Sequence, residues 1–151
     1  MKNFWSATYY LSSFLVALLG SLVIIGWLND YIFLIKIHPN FTPMQFNTAL
    51  CFALLGLSLI FIRFKVTYFL LTTTFIIAFG TLIQWITGVD FGLDQFFITT
   101  QFGNNELFPG RMVPNSAVSF SLISIFLLLF KINNNYFTSR LMVAASFFAC
   151  V

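Results

Sequence analysis

The sequence predicts an all-α transmembrane protein, a helical bundle of about five spans with an internal parallel repeat of helical hairpins. Of its 151 residues, 60% are hydrophobic and only 7% are charged, and the mean hydropathy is +0.95. A soluble domain carries roughly 25% charged residues, so most of this surface needs hydrocarbon rather than water as its solvent. The apolar residues also fall into long runs without the two-residue alternation of a membrane barrel.

Four apolar segments are clear, and a fifth continues to the end of the chain. They cover Tyr9–Leu28, Asn47–Ile62, Val66–Ile86, Asn115–Phe130 and the residues from near Tyr136 to Val151. Because hydrocarbon offers no partner to backbone amides, each segment is predicted to be helical. The first is long enough to cross the bilayer and has no clear cleavage site after it, so it is interpreted as a retained helix.

Basic residues indicate the orientation of these spans. Five of the seven fall on one side if every segment crosses once, and they are Lys2, Arg63, Lys65, Lys131 and Arg140. The other side holds all four carboxylates, which are Asp30, Asp90, Asp94 and Glu106. Since cytoplasmic loops are enriched in Lys and Arg, the N-terminus is predicted to be cytoplasmic and the loops at 29–46 and 88–114 to be outside.

An internal repeat is the most informative feature of the sequence. Residues 44–54 read MQFNTALCFAL and residues 112–122 read MVPNSAVSFSL. Each copy opens an apolar span at its outer end, and the unit contains two spans, so both copies keep the same orientation in the membrane. The predicted repeat units are 44–111 and 112–151, within one transmembrane domain over 1–151. Small residues four apart, as at Ala49 and Ala53, predict close helix packing.

Ten residues at the outer side are candidate ligand-binding residues. The repeat contributes Asn47 and Asn115, which are interpreted either as N-caps of their helices or, with Thr48 and Ser116, as the lining of a polar pocket. The remaining candidates are Met44, Met112, Gln84, Asp90, Asp94 and Arg111.

Two groups among these candidates have alternative interpretations. Gln84 belongs to a stripe with Thr73, Gly80 and Thr87 that should face the bundle, where it serves either helix packing or ligand contact. Asp90, Asp94 and Arg111 are either solvated surface charges or an ion pair that closes a lid formed by the 88–111 loop. The segment Val89–Thr100 is amphipathic and is expected to lie on the membrane surface or to fold back over the bundle.

Several function classes are excluded by the residues that the sequence lacks. No nucleophile-base pair, phosphate-binding glycine loop or metal-ligand cluster is present, so the chain is predicted to be non-catalytic, with no cofactor and no metal site. No Lys and Arg run suits nucleic acid. The near absence of charges within the spans argues against a small transporter or channel subunit, which is retained as an alternative together with a passive membrane anchor.

Three sequence blocks resemble a known family. They are PMQFNTALCFALLGLSLI, GTLIQWITGVDFGLDQFF and PGRMVPNSAVSFSLISIFLLL, within residues 38–130. These blocks are similar to the membrane-embedded N-terminal (MASE-type) input domains of bacterial sensor histidine kinases and diguanylate cyclases. There the Asn-Thr-Ala block recurs around a Gly-x-Asp-x-Gly-x-Asp-Gln segment, here from Gly88 to Gln95.

The resemblance implies a sensory input domain in the bacterial cytoplasmic membrane. Such a domain responds to a small molecule or a membrane stimulus and relays it to a cytoplasmic kinase or diguanylate cyclase module, usually within a homodimer. Five spans and a cytoplasmic N-terminus leave the C-terminus outside, where no such module could be attached. The sequence is therefore expected to be truncated at its C-terminus.

Overall fold

The fold is all-α in the computed structural model, which describes residues 2–36, 38, 41–98 and 108–133 (side chains of residues 2–6 and 133 excepted). Five helices and no strand occur in these ranges: α1 Lys2–Leu28, α2 Ile32–Ile35, α3 Phe46–Ile60, α4 Val66–Thr87 and α5 Pro114–Asn133. Three of them, α1, α4 and α5, are long and apolar enough to cross a membrane. The chain is therefore a multi-pass membrane protein.

Apart from the earlier start of α1 at Lys2, the predicted spans differ from the observed helices in two respects. Helix α3 has 15 residues and so is about 22 Å long, which is shorter than the ~30 Å of a hydrocarbon core. The structure consequently has three long spans and one shorter apolar helix where the sequence predicted four full spans. The fifth predicted segment, from near Tyr136 to Val151, lies outside the described residues.

Helices α1 and α3 form an antiparallel hairpin that is hydrogen-bonded at both ends. The Tyr9 hydroxyl donates to the Leu59 carbonyl at 2.8 Å. At the opposite end the Trp27 indole N–H donates to the Met44 carbonyl at 2.9 Å. These two bonds fix the register of α3 against α1, because each one joins the start of one helix to the end of the other.

Helices α4 and α5 form a second hairpin of the same design. The Trp85 indole N–H donates to the Met112 carbonyl at 3.0 Å, so the first residue of each repeat copy receives a bond from a tryptophan near the end of the preceding long helix. At the other end the Lys131 ammonium donates to the carbonyls of Ile62 and Phe64, both at 2.6 Å. We call the end with Lys131 the basic end and the end with Trp27 and Trp85 the loop end.

Glycine and alanine allow α1 and α3 to approach closely. A Cβ on Gly56 would lie 2.4 Å from the Ala17 backbone nitrogen, and a Cβ on Gly20 would lie 2.5 Å from the Ala49 carbonyl oxygen. The predicted small residues Ala49 and Ala53 are buried there, and so is Ala17. Helices in lipid gain no association energy from hydrophobic burial, because the lipid chains are themselves apolar. Close packing of the two backbones stabilises the pair instead.

The buried face of α4 differs from the predicted polar stripe. Of that stripe only Gln84 is buried. Thr73 and Gly80 are half-buried, and Thr87 is exposed. The completely buried polar residues of α4 recur at intervals of seven and three residues, and they are Thr67, Thr74, Thr81 and Gln84. Thr74 and Thr81 donate their hydroxyls to the carbonyls four residues earlier, so they need no partner from another helix.

Replacing Lys131 by methionine should lower the free energy of unfolding by about 1–2 kcal/mol, since two charge-assisted bonds to the α3–α4 turn are lost. Thermal or denaturant unfolding in detergent measures this change, and amide exchange should increase in residues 61–65. Lys65→Met is the matched control, because this exposed lysine lies on the turn itself. Equal effects of the two substitutions would indicate that only net charge matters.

Candidate functional site

The loop after α4 folds back over the loop end of the bundle. Gly88 ends α4 with a left-handed backbone (φ 71°), and its N–H donates to the Gln84 carbonyl at 3.0 Å. Gly92 has the same φ of 71°, and its N–H donates to the Asp90 carboxylate at 2.9 Å. Glycine adopts this conformation without a steric penalty, so the two glycines of the Gly-x-Asp-x-Gly-x-Asp-Gln segment shape the turn.

Asn47 holds this loop onto α3. Its side-chain nitrogen donates to the Leu93 carbonyl at 2.8 Å, and the residue is only 2% exposed. The interpretation of Asn47 as an N-cap is wrong, because α3 begins at Phe46 and its cap position is Gln45, which makes no side-chain cap bond. Asn115 likewise follows the first residue of α5 and is exposed, so the two equivalent asparagines have different environments.

A buried ion pair lies beneath the loop. The Arg111 Nε donates to the Asp94 carboxylate at 2.7 Å, and the two side chains are 1% and 5% exposed. Asp90 lies farther away, with 3.7 Å between its Oδ1 and Arg111 Nη2, and its side chain is 67% exposed. The interpretation of Asp94 and Arg111 as solvated surface charges is therefore wrong, whereas that of Asp90 fits its exposure.

Gln84 connects the ion pair to α4. Its amide nitrogen donates to Asp90 Oδ1 at 2.9 Å and to Asp94 Oδ2 at 3.2 Å. A residue of a membrane helix thus holds both carboxylates of the loop. The arrangement explains why the two acids stand four residues apart, since one turn of the loop presents both of them to a single amide.

Aromatic rings complete the environment of Arg111. Its guanidinium carbon lies 4.0 Å from the centre of the Phe108 ring and 5.6 Å from the centre of the Trp85 ring. The two rings are themselves in edge-to-face contact with their centroids 5.6 Å apart. Cation–π contacts of this kind help to offset the cost of removing a guanidinium from water.

Some polar atoms of the site have no hydrogen-bond partner among the residues that the structure describes. They are Gln84 Oε1, Asp94 Oδ1, both terminal nitrogens of Arg111 and Gln45 Oε1, and all are buried. Buried polar atoms are normally paired, because desolvation without compensation costs about 1–3 kcal/mol. Unpaired donors and acceptors in one region therefore suggest that a further group binds there.

A cavity of about 1050 Å³ lies beside this cluster, between α1, α2 and the starts of α3 and α5. Its polar lining includes Gln45, Thr48, Arg111 and Ser116, and its apolar wall includes four leucines of α1, which are Leu15, Leu18, Leu19 and Leu22. These leucines are 40–53% exposed, so the cavity opens sideways on the surface that faces hydrocarbon. Both copies of the repeat contribute to its wall.

The structure thus separates the candidate residues into three groups. Four line the cavity, and these are Met44, Thr48, Ser116 and Arg111. Five lie outside its wall: Asn47, Gln84 and Asp94 are buried in contacts beneath the loop, Met112 is completely buried in the core formed by α3, α4 and α5, and Asp90 is exposed in the loop. Asn115 is exposed and does not line the cavity. Binding of a ligand by any of these residues stays a prediction.

Sequence reasoning missed several residues of the site. Gln45, Trp85 and Phe108 line the cavity but were not among the candidates. Trp27 and Trp85 are typical interfacial aromatics by position, yet each donates a hydrogen bond to the backbone of a repeat methionine. The sequence signal for these two Trp–Met bonds is weak. Trp27 precedes Met44 by 17 residues whereas Trp85 precedes Met112 by 27, so the two pairs do not align without a gap.

Asn47→Leu should lower the free energy of unfolding by about 1–2 kcal/mol, whereas Asn115→Leu should change it by less than about 0.5 kcal/mol. Only the first substitution removes a buried bond, and it leaves the Leu93 carbonyl without its donor. Amide exchange of residues 88–98 should increase in the first variant alone. Equal effects at both positions would contradict the assignment of Asn47 as the anchor of the loop.

Comparison of the chain with family models, with curated proteins and with solved structures gives no match in any of the three cases. The architecture and the site therefore rest on the residues of this chain itself. They establish a helical, multi-pass membrane protein with three long apolar helices and a partly unsatisfied polar cluster beside a lateral cavity.

Proposed function

We propose that this chain is a membrane-embedded sensory input domain, which binds a small ligand at the loop end and relays its presence to a cytoplasmic kinase or diguanylate cyclase module. The observation that carries the proposal is the cavity beside the Asp94–Arg111 pair, in which Asp94 Oδ1 and both terminal nitrogens of Arg111 are buried without a hydrogen-bond partner among the described residues. The likeness of the Asn-Thr-Ala blocks to MASE-type input domains supports the same function. The domain itself has no catalytic role.

The position of the cavity favours sensing over anchoring. Its wall contains Leu19 from α1 and Thr48 from α3, which belong to the first hairpin, and Trp85 and Ser116 from the second. A ligand between two hairpins changes their relative packing when it binds one arrangement more tightly than the other. A passive anchor has no need of buried polar atoms at this position, which lower its stability.

The relay requires the basic end to face the cytoplasm. Arg63, Lys65 and Lys131 all lie at that end, as the bonds from Lys131 to the α3–α4 turn indicate. Under the positive-inside rule the N-terminus of α1 and this turn are cytoplasmic, and the cavity lies in the outer leaflet. The setting is a bacterial cytoplasmic membrane, and the signalling unit is a homodimer of the parent chain.

The DNA beyond codon 151 provides the first test. We expect the reading frame to encode a histidine kinase or diguanylate cyclase module. A stop codon directly after Val151, without a neighbouring gene for such an enzyme, would contradict the proposed output.

A pair of serine substitutions on α5 tests the cavity. Ser116→Phe places a ring in the cavity and should reduce the response of the full-length receptor to its stimulus at least tenfold. Ser119→Phe is the matched control, because this half-buried serine lies one turn farther along and outside the cavity wall. Exchange of the domain, residues 1–151, for an unrelated membrane anchor should abolish regulation. Retained regulation after that exchange would support a passive anchor instead.

A further inference from the structure

The accessible wall of the cavity is mainly aliphatic. The terminal nitrogens of Arg111 and the side-chain oxygen of Gln45 are enclosed by protein, with less than 1 Å² of accessible surface each, so an occupant of the cavity does not reach them. Helix α1 contributes leucines that are 40–53% exposed, and they are Leu15, Leu18, Leu19 and Leu22. The surface that an occupant meets over most of its length is therefore hydrocarbon.

The cavity is about as deep as one leaflet of a bilayer. Its lining extends from Met44, which is bonded to Trp27 at the loop end, along α1 as far as Leu15. Leu15 precedes Trp27 by 12 residues, which is about 18 Å along a helix. One leaflet contributes half of the ~30 Å hydrocarbon core, or about 15 Å. A chain that enters at the loop end and follows α1 to Leu15 thus has the reach of a lipid acyl chain.

Two hydroxyls lie in the loop-end part of this wall. Thr48 and Ser116 occupy equivalent positions in the two repeat copies, and each follows by four residues a methionine whose carbonyl accepts a tryptophan N–H. Neither hydroxyl makes a hydrogen bond within the part of the chain that the structure describes. By contrast Ser119, outside the wall, donates to the Asn115 carbonyl at 2.9 Å. The polar end of an occupant therefore meets two hydroxyls that are able to donate to it.

We propose that the cavity binds one acyl chain of a glycerophospholipid from the leaflet at the loop end, with the chain along the leucines of α1 and an ester oxygen next to Thr48 and Ser116. The ester groups of such a lipid lie where the headgroups meet the hydrocarbon, which is the level that interfacial aromatics such as Trp27 and Trp85 mark. An ester carbonyl accepts hydrogen bonds from both hydroxyls without bringing a charge to this wall. The lipid enters sideways, because the leucines are exposed on the hydrocarbon side.

This inference names the ligand class of the proposed sensory site, and it rests on the proposed function for the consequence of binding. The stimulus is then the acyl chain that the surrounding bilayer supplies. A lipid that fits the cavity less well would shift the relative packing of the two hairpins, because it binds one arrangement less tightly.

Binding is measured by quenching of tryptophan fluorescence in the full chain, purified in dodecyl maltoside micelles. The probe is phosphatidylcholine with dibromostearoyl chains, because Trp85 lines the cavity and a bromine bound there quenches its emission. At a low molar fraction of lipid, random contact within the micelle is rare. We expect quenching to saturate at one lipid per chain and to be reversed by unbrominated phosphatidylcholine. Quenching that rises without saturation would overturn the proposal.

Two changes test the assignment of the residues. Ser116→Phe should weaken lipid binding at least tenfold, and Ser119→Phe should leave it unchanged, because only Ser116 lines the cavity. Equal saturable quenching in these two variants would place the lipid elsewhere. The double variant Thr48→Val with Ser116→Ala removes both hydroxyls and keeps the shape of the wall, and it should weaken binding at least threefold. Unchanged affinity in that variant would overturn the ester contact.

The remaining outcomes separate the lipid from other ligands and from the sensory function. Oleate and lysophosphatidylcholine are the competing single-chain amphiphiles, and stronger competition by either than by phosphatidylcholine would overturn the assignment of a bilayer lipid. Lipid binding that is lost in Ser116→Phe while the output of the full-length receptor is unchanged would support the lipid site and contradict the proposed function. Retained lipid binding with loss of the receptor response would contradict the lipid site and support the sensory function.

Discussion

Arg111→Met is expected to lower the free energy of unfolding by about 3–5 kcal/mol, the largest loss for any substitution at the loop end. The change leaves the Asp94 carboxylate buried without its cation, and breaking one side of a buried ion pair has costs of this size. Reversible unfolding in mixed micelles measures the difference. The double variant with Asp94→Leu should recover most of the loss, to within about 1 kcal/mol, because apolar residues of similar volume tolerate the same site.

Asp90→Asn is the control for this prediction. Asp90 is mostly exposed and lies 3.7 Å from the guanidinium, so the loss of its charge should cost less than about 1 kcal/mol. The asparagine oxygen still accepts the bonds from Gln84 and from the Gly92 N–H. Equal destabilisation by Asp90→Asn and Arg111→Met would contradict the assignment of the buried pair as the main ionic contact of the loop.

Gly56→Ala is expected to destabilise the protein by about 3 kcal/mol, although alanine is the better helix former. The added Cβ would lie 2.4 Å from the Ala17 nitrogen and 2.6 Å from its Cα, so α1 and α3 must separate. Thermal unfolding in detergent measures the loss. Since both atoms in the way belong to backbone, no rotamer change relieves the clash.

Gly80→Ala is the matched control on α4. There the new Cβ meets only the end of the Leu93 side chain, at 2.7 Å, which can rotate away. We expect a change of less than about 1 kcal/mol, and a loss as large as that for Gly56→Ala would show that glycine flexibility rather than close helix contact is important.

The helices could be predicted from sequence more accurately than the site. Helices α3 and α5 begin only one residue before Asn47 and Asn115, where the sequence predicted them to begin. The prediction is accurate there because hydropathy and the repeat both mark the boundary. Helix α1 begins several residues earlier than predicted, at Lys2, since hydropathy does not detect the polar turn before Tyr9.

The site depends on contacts between residues far apart in the chain. The sequence places Asn47 and Asn115 in equal local patterns, yet only Asn47 reaches the loop, through Leu93, which lies 46 residues away. The ion pair of Asp94 and Arg111 was one of two interpretations, and only the folded loop decides between them. Local periodicity identified only Gln84 of the buried polar face of α4, and it does not specify which loop will cover that face.

The geometry of α5 has a mechanical consequence. Its first turn, at Pro114 and Ser116, belongs to the cavity wall. In its last turn Lys131 donates hydrogen bonds to the carbonyls of Ile62 and Phe64. The twenty residues of α5 form a stiff helix about 30 Å long, so a small tilt at one end moves the other end as well. Displacement of Ser116 would therefore pull directly on the α3–α4 turn.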